Sequence, residues 1–181
     1  MRVIHHERCS GQFAVLGRPV RTLRGIQTHQ GEMLGKTMRV VVLSSGGKDS
    51  AAAWWWAMCR GWDVVALVTV TITSDDSPMF QIPSTHLVEQ QAALAGLPWV
   101  NVRTPGETPT DIEDLEKALS SLPIDGFVSG ALRSDYQKSR LERMAERLGI
   151  KSWTPLWHQS GLHHLKQMIE HGFEIVITGV S

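Results

Sequence analysis

The segment Ser44-Ser-Gly-Gly-Lys-Asp-Ser50 gathers three hydroxyls, two adjacent glycines, an ammonium and a carboxylate. Paired glycines let the backbone turn sharply and bring its N–H groups against an anion. An apolar run, Arg39-Val-Val-Val-Leu43, precedes the segment, and a helical pattern follows from Asp49. The unpaired N–H groups and the positive end of that helix therefore converge on the loop. Ser45 and Ser50 add hydroxyl donors and Lys48 a mobile positive charge. Such a set binds phosphate or pyrophosphate. The plainer alternative is a tight turn with Asp49 or Ser50 as helix N-cap, but the order strand, glycine loop, lysine, helix favours the anion site. A second glycine stretch, Gly31-Glu-Met-Leu-Gly35-Lys36-Thr37, has three residues between its glycines where a Walker A loop needs four. It also precedes a strand instead of following one, and is set aside.

A second group of polar residues follows another apolar run: Gly130-Ala-Leu-Arg-Ser-Asp-Tyr-Gln-Lys-Ser-Arg-Leu-Glu142. Ser134 and Gln137 have capping-box spacing and can simply start a helix. Asp135 suits the helix dipole, and Arg140 with Glu142 suits a solvated face. The cluster nevertheless begins at the carboxyl end of a strand, where nucleotide ligands collect in open α/β sheets. There Tyr136 and Gln137 are placed to touch a substrate, and Arg140 to pair with a carboxylate or phosphate.

The elements that must position these groups alternate. Strands are expected at Arg39–Leu43, Asp63–Thr71, Trp99–Val102, Gly126–Ser129 and Phe173–Ile177, with a short extended piece at Trp153–Leu156. Helices are expected over 49–60, 84–96, 111–121, 135–148 and 160–171, with Thr110 and Glu113 at capping-box spacing before the third. Strands separated by helices of this length imply parallel βαβ units. The expected fold is α/β: a doubly wound, mainly parallel five-stranded sheet with helices on both faces. Its ligand would sit among the loops 44–49, 72–83 and 129–136.

The chain of 181 residues balances 18 Lys and Arg against 18 Asp and Glu, which argues against a dedicated nucleic-acid binder. Residues 1–37 hold six basic and two acidic residues, leaving 12 basic and 16 acidic for 38–181. Residues 1–37 read as a basic leader, poorly ordered or arising from an upstream start codon, with an organelle-targeting peptide as the rival. Residues 38–181 read as the functional domain. Two cysteines make no disulfide framework or zinc spacing, no apolar stretch spans a bilayer, and no secretory signal is seen. A cytoplasmic protein is expected.

Ser45-Gly-Gly-Lys-Asp-Ser50 resembles the pyrophosphate loop of the PP-loop ATP pyrophosphatase superfamily, whose fold is of the adenine nucleotide alpha hydrolase type. Three further segments narrow the likeness: Ser77-Pro-Met-Phe-Gln-Ile-Pro83, the stretch 130–142, and Pro155-Leu-Trp157 with Met168-Ile-Glu-x-Gly-Phe-Glu174. Together they resemble the diphthine–ammonia ligase family over about 38–180. The resemblance implies ATP and Mg²⁺, cleavage of ATP to AMP and pyrophosphate, and adenylation of the diphthine carboxylate of elongation factor 2 for attack by ammonia. It implies Ser45, Gly46, Gly47, Lys48, Asp49 and Ser50 as the pyrophosphate loop, with Lys48 and Asp49 catalytic. It further implies substrate or nucleotide contacts from Phe80, Gln81, Gly130, Ser134, Asp135, Tyr136, Gln137, Arg140 and Glu142, and assigns no protein residue to the metal. Departures are Pro78-Met-Phe-Gln81 where the family usually has Tyr-Met-Phe-His, Ser44 where tyrosine is frequent, and the stop at Ser181, which reads as a truncation. Alternatives are another PP-loop enzyme modifying tRNA, or a truncated, non-catalytic ATP-binding module.

Other signals point to structure. His158, His163 and His164 lack metal-ligand partners at suitable spacing, and adjacent helical residues diverge by about 100°, so a solvated helix is expected. Trp54-Trp55-Trp56 and Trp62 read as core plus interface. Cys59 reads as buried filler. Asp75 and Asp76 are open equally to magnesium and to solvent.

Overall fold

The computed structural model describes residues 3–5, 37–73, 87–107 and 109–175. Phe80, Gln81, Asp75, Asp76 and most of 1–37 lie outside them. The β-branched run Arg39–Leu43 forms β2, and its three valines are fully buried. Helix α1 (Lys48–Cys59) follows, then β3 (Asp63–Ile72), α2 (Leu87–Ala95) and β4 (Trp99–Thr104). The second half holds α3 (Thr110–Ser120), β5 (Gly126–Ser129), α4 (Asp135–Leu148), β6 (Lys151–Trp153), α5 (Gly161–Glu170) and β7 (Phe173–Ile175). Within the segment read as a leader, β1 (Val3–His5) pairs antiparallel with β7.

The main sheet has five strands in the order β4-β3-β2-β5-β6, all parallel. The chain winds outward from β2 through β3 to β4, then returns to the other side of β2 for β5 and β6. The switch point therefore falls between β2 and β5, with Leu43 paired to Ser129 at their carboxyl ends. Alternate residues face opposite layers, as the two-residue repeat of a strand requires. Val41 and Phe127 pack with α3 and α4 through Ile112, Leu115, Leu119, Leu141 and Met144. Val40, Val42 and Val128 pack with α1 and α2 through Ala53, Trp54, Ala57, Val88 and Ala92. A third cluster sets Met168 of α5 and Phe173 of β7 against Ala52 of α1 and Leu156.

Three expectations are corrected. The fifth strand of the sheet is Lys151–Trp153, paired parallel to β5, whereas Phe173–Ile175 leaves the sheet to pair with β1. Helix α3 starts at Thr110 behind Pro109, so Thr110 lies inside the helix and the N-cap is a proline with no side-chain acceptor; the expected capping box does not form. Cys59 is exposed: the buried positions of α1 are 50, 52–54 and 57, and its last residue turns off that face. The tryptophans do divide between layers. Trp54 enters the core, Trp55 lies over His171 at 4.3 Å, and Trp56 meets the edge of Trp62 at 5.2 Å.

Candidate nucleotide-binding site

At the switch point the ends of β2 and β5 bound an open cleft of about 300 Å³. One wall is the glycine loop, held by a chain of hydroxyl bonds. The Gly46 N–H donates to Ser44 Oγ (3.3 Å), which donates to Ser50 Oγ (3.3 Å), which donates to the Gly47 carbonyl (2.9 Å). The Ser44 N–H is tied to the Val68 carbonyl at 2.8 Å, so the loop leaves the sheet in a fixed direction. Gly46 has φ of 80°, a conformation that disfavours a side chain. From α2, Gln91 Nε2 donates to the Gly46 carbonyl at 3.3 Å. Helix α1 then begins, and its first turn offers N–H groups with no preceding helical carbonyl.

The opposite wall is the loop after β5. A Cβ on Gly130 would meet the backbone of Asp49 and Ser50, so only glycine allows this loop to close on the start of α1. Ser134 Oγ accepts from the Gln137 N–H at 3.2 Å and caps α4, while both side chains also line the cleft. The floor is apolar, with Leu43, Val68, Val70 and Leu141. Ser129 Oγ, at the end of β5, is buried with no hydrogen-bond partner and lines the same space.

The structure thus brings Ser45, Asp49, Ser50, Gly130, Ser134 and Gln137 to one cleft. Gly46 and Gly47 form the loop backbone beside it. Lys48 does not line the cleft; its ammonium lies 2.7 and 2.9 Å from the two carboxylate oxygens of Asp49. Asp49 sits in the first turn of α1, where the helix dipole favours a carboxylate.

Four residues expected at the site lie elsewhere. Positions 134, 137 and 141 share the cleft-facing stripe of α4, and at about 100° per residue 135, 136, 140 and 142 cannot share it fully. Asp135 and Tyr136 are exposed. The guanidinium of Arg140 reaches α3, with Nη2 3.2 Å from Oδ1 of the fully buried Asp111, and lies over Tyr136 at 5.0 Å. Glu142 pairs with Lys138 one turn earlier. Arg133 is the basic residue among the described residues that line the cleft.

Two contributors went unseen in the sequence, and a third, Ser44, was named there only as part of the loop, without the bracing role its hydroxyl has. Gln91 belongs to another helix. His164 was expected in a solvated helix; it is 2 % exposed, with Nε2 3.0 Å from Asp49 Oδ1. Its signal was the inward stripe it shares with Met168, four residues on.

The diphthamide synthase N-terminal domain model matches residues 38–152. The chain belongs to that family. Curated relatives named diphthine–ammonia ligase include those of Rattus norvegicus, 30 % identical over 166 residues, and Danio rerio, 32 % over 165. The match covers 80 % of this chain, which spans 62 % of the rat protein and 65 % of the zebrafish one. Among solved structures, a predicted subunit of tRNA methyltransferase from Methanocaldococcus jannaschii superposes with a TM-score of 0.50. It is 21 % identical and the match covers 74 % of this chain and 75 % of that one, a likeness of fold alone.

The family implies use of ATP, and the donor set fits it. The hydroxyl of Ser45 and the N–H groups at the start of α1 suit the phosphates, with Ser50 bracing the loop through the Gly47 carbonyl, and the apolar floor with Ser129 suits base and ribose. Among the described residues no group of three or more His, Cys, Asp or Glu is arranged to hold a metal ion. Nor is any helix among them long and apolar enough to cross a membrane.

Proposed function

We propose that the chain carries the ATP site of an AMP-forming amide ligase acting on the diphthine carboxylate of elongation factor 2. The observation that carries this reading is the closure of the Gly130 loop on the start of α1, which makes one cleft from the glycine loop and residues 129–137. Membership of the diphthamide synthase family supports the choice of acceptor.

A carboxylate is a poor acyl donor because its leaving group would be oxide. In the proposed reaction a carboxylate oxygen attacks the α-phosphorus of ATP and pyrophosphate leaves. Ammonia then attacks the acyl carbon, AMP leaves, and the amide remains. The protein contributes position and fixed dipoles. The loop 45–50 holds the β- and γ-phosphates, and Lys48, on leaving Asp49, stabilises charge on the departing pyrophosphate. Magnesium would be carried by the phosphate oxygens, where it offsets their charge. Ser134 and Gln137 would face the acceptor side. Elongation factor 2 places the reaction in the cytoplasm. Residues 38–181 would act as the catalytic domain, with 1–37 as an appended leader.

The test is ATP–pyrophosphate exchange in the presence of diphthine-bearing elongation factor 2. Exchange should depend on the factor and disappear in Lys48→Ala. Exchange that persists unchanged in that variant removes Lys48 from the reaction. ATP binding without AMP release in the presence of factor and ammonia would instead make the chain a nucleotide-binding module.

A further inference from the structure

Asp49 has two partners of unlike mobility. Lys48 is its chain neighbour, on a long flexible stem, half-buried. His164 arrives from α5, 115 positions later, and is almost fully enclosed. An ionised carboxylate only accepts hydrogen bonds, so Nε2 of His164 carries the hydrogen and donates to Oδ1.

The helix that presents His164 is itself fixed. Ser160 Oγ caps it by accepting from the His163 N–H at 3.2 Å. Met168 packs against Ala52 and Leu156, and His171 just beyond the helix lies against Trp55 at 4.3 Å. The imidazole is thus anchored to the same helix, α1, whose first turn carries Asp49.

Lys48 does not line the cleft, so its ammonium must swing away from Asp49 to meet a phosphate there. The carboxylate would then remain beside an anion-binding cleft without its cation, repelling the incoming charge and tending to swing. We propose that His164 is the positioning residue of the glycine loop: it holds Asp49 in place while Lys48 transfers to the phosphates of the nucleotide. This rests on the ATP reading above. His164 need not touch substrate, so it acts through Asp49 and is not itself catalytic.

The test is calorimetric titration of the full chain with MgATP, with melting temperature measured in parallel. His164→Leu removes the donor and suits the apolar neighbours, and His164→Gln retains a donor. His164→Leu should weaken MgATP binding about tenfold, the scale of a lost hydrogen bond to a charged group. His164→Gln should stay within about threefold of the wild type on the same scale. In an Asp49→Asn background, His164→Leu should cost little more, because coupled residues do not add. Wild-type affinity in His164→Leu, equal losses in both variants, or an undiminished loss in the Asp49→Asn background would each overturn the role. If His164→Leu fails to fold, His164→Gln decides alone: retained binding supports the role and lost binding overturns it. Lys48→Ala separates the two readings. Wild-type MgATP affinity in Lys48→Ala sinks the ATP assignment of the loop, whereas its loss there beside an unaffected His164→Leu sinks only the part given to His164.

Discussion

A Cβ placed on Gly130 would stand 2.6 Å from the carbonyl carbon of Asp49 and 2.8 Å from the amide nitrogen of Ser50. Both are backbone atoms, so no side-chain rotation relieves the clash. Gly130→Ala should push the β5 loop off α1 and cost about 1–3 kcal/mol, the usual scale of overpacking. MgATP binding should weaken by at least about tenfold, because groups on the two walls no longer converge. Urea denaturation and calorimetry measure the two effects. Wild-type affinity would show that the walls act separately.

Ser44 is the hinge of the hydroxyl chain that joins Gly46, Ser50 and Gly47. Ser44→Ala should destabilise the fold by only about 1 kcal/mol, the typical net worth of a hydrogen bond. Its effect on MgATP should be larger in relative terms, about three- to tenfold, because the loop loses its preset shape. Equal binding by Ser44→Ala would mean that the loop is held by Gln91 and the sheet alone.

Arg140 separates a structural from a substrate-contacting residue. Asp111 is fully buried and its Oδ1 accepts from the Ile112 N–H at 2.7 Å as well as from Arg140. Arg140→Met leaves that carboxylate without its cation, which should cost about 3 kcal/mol. MgATP affinity, measured well below the melting temperature, should remain within about twofold, since Arg140 does not line the cleft. A large loss of affinity with unchanged stability would return Arg140 to the site.

Trp153 tests the edge of the sheet. It is half-buried in the layer of α1 and lies 4.4 Å from Trp62. Trp153→Ala should destabilise the whole domain by about 3 kcal/mol, at the lower end for a large aromatic truncation. Chemical denaturation should then show one cooperative transition at lower denaturant, and no change there would place β6 outside the core.

Much of the fold was legible because β-branched runs alternate with helical patterns. β2 and β5 fall where the apolar runs Arg39–Leu43 and Gly126–Ser129 predict, and α4 has the expected ends, with Ser134 as its cap. Lys151–Trp153 lacks such a run and becomes a strand only through its neighbour, by parallel pairing with β5. Phe173–Ile175 has the composition of a sheet strand but pairs with β1 outside the main sheet. Local spacing marked the glycine loop and the first turn of α4 as candidates, and the structure brings residues of both to one cleft. It did not show that Arg140 and Glu142 turn instead to Asp111 and Lys138, because closeness in sequence does not tell which side of a helix faces a cleft. It failed for His164 because the carboxylate that makes the histidine meaningful lies in another element.

The pairing of β2 with β5 also has a kinetic meaning. Arg39 and Asp125, 86 positions apart, are already joined by a 2.8 Å hydrogen bond at the foot of these strands. The glycine loop and the 129–137 loop meet only through this distant closure, which carries a chain-entropy cost. A nascent chain can complete the glycine loop while β5 is still unsynthesised, and it then has half a cleft. Ligand binding therefore reports on completed folding, and nucleotide should slow global unfolding instead of merely stiffening one loop.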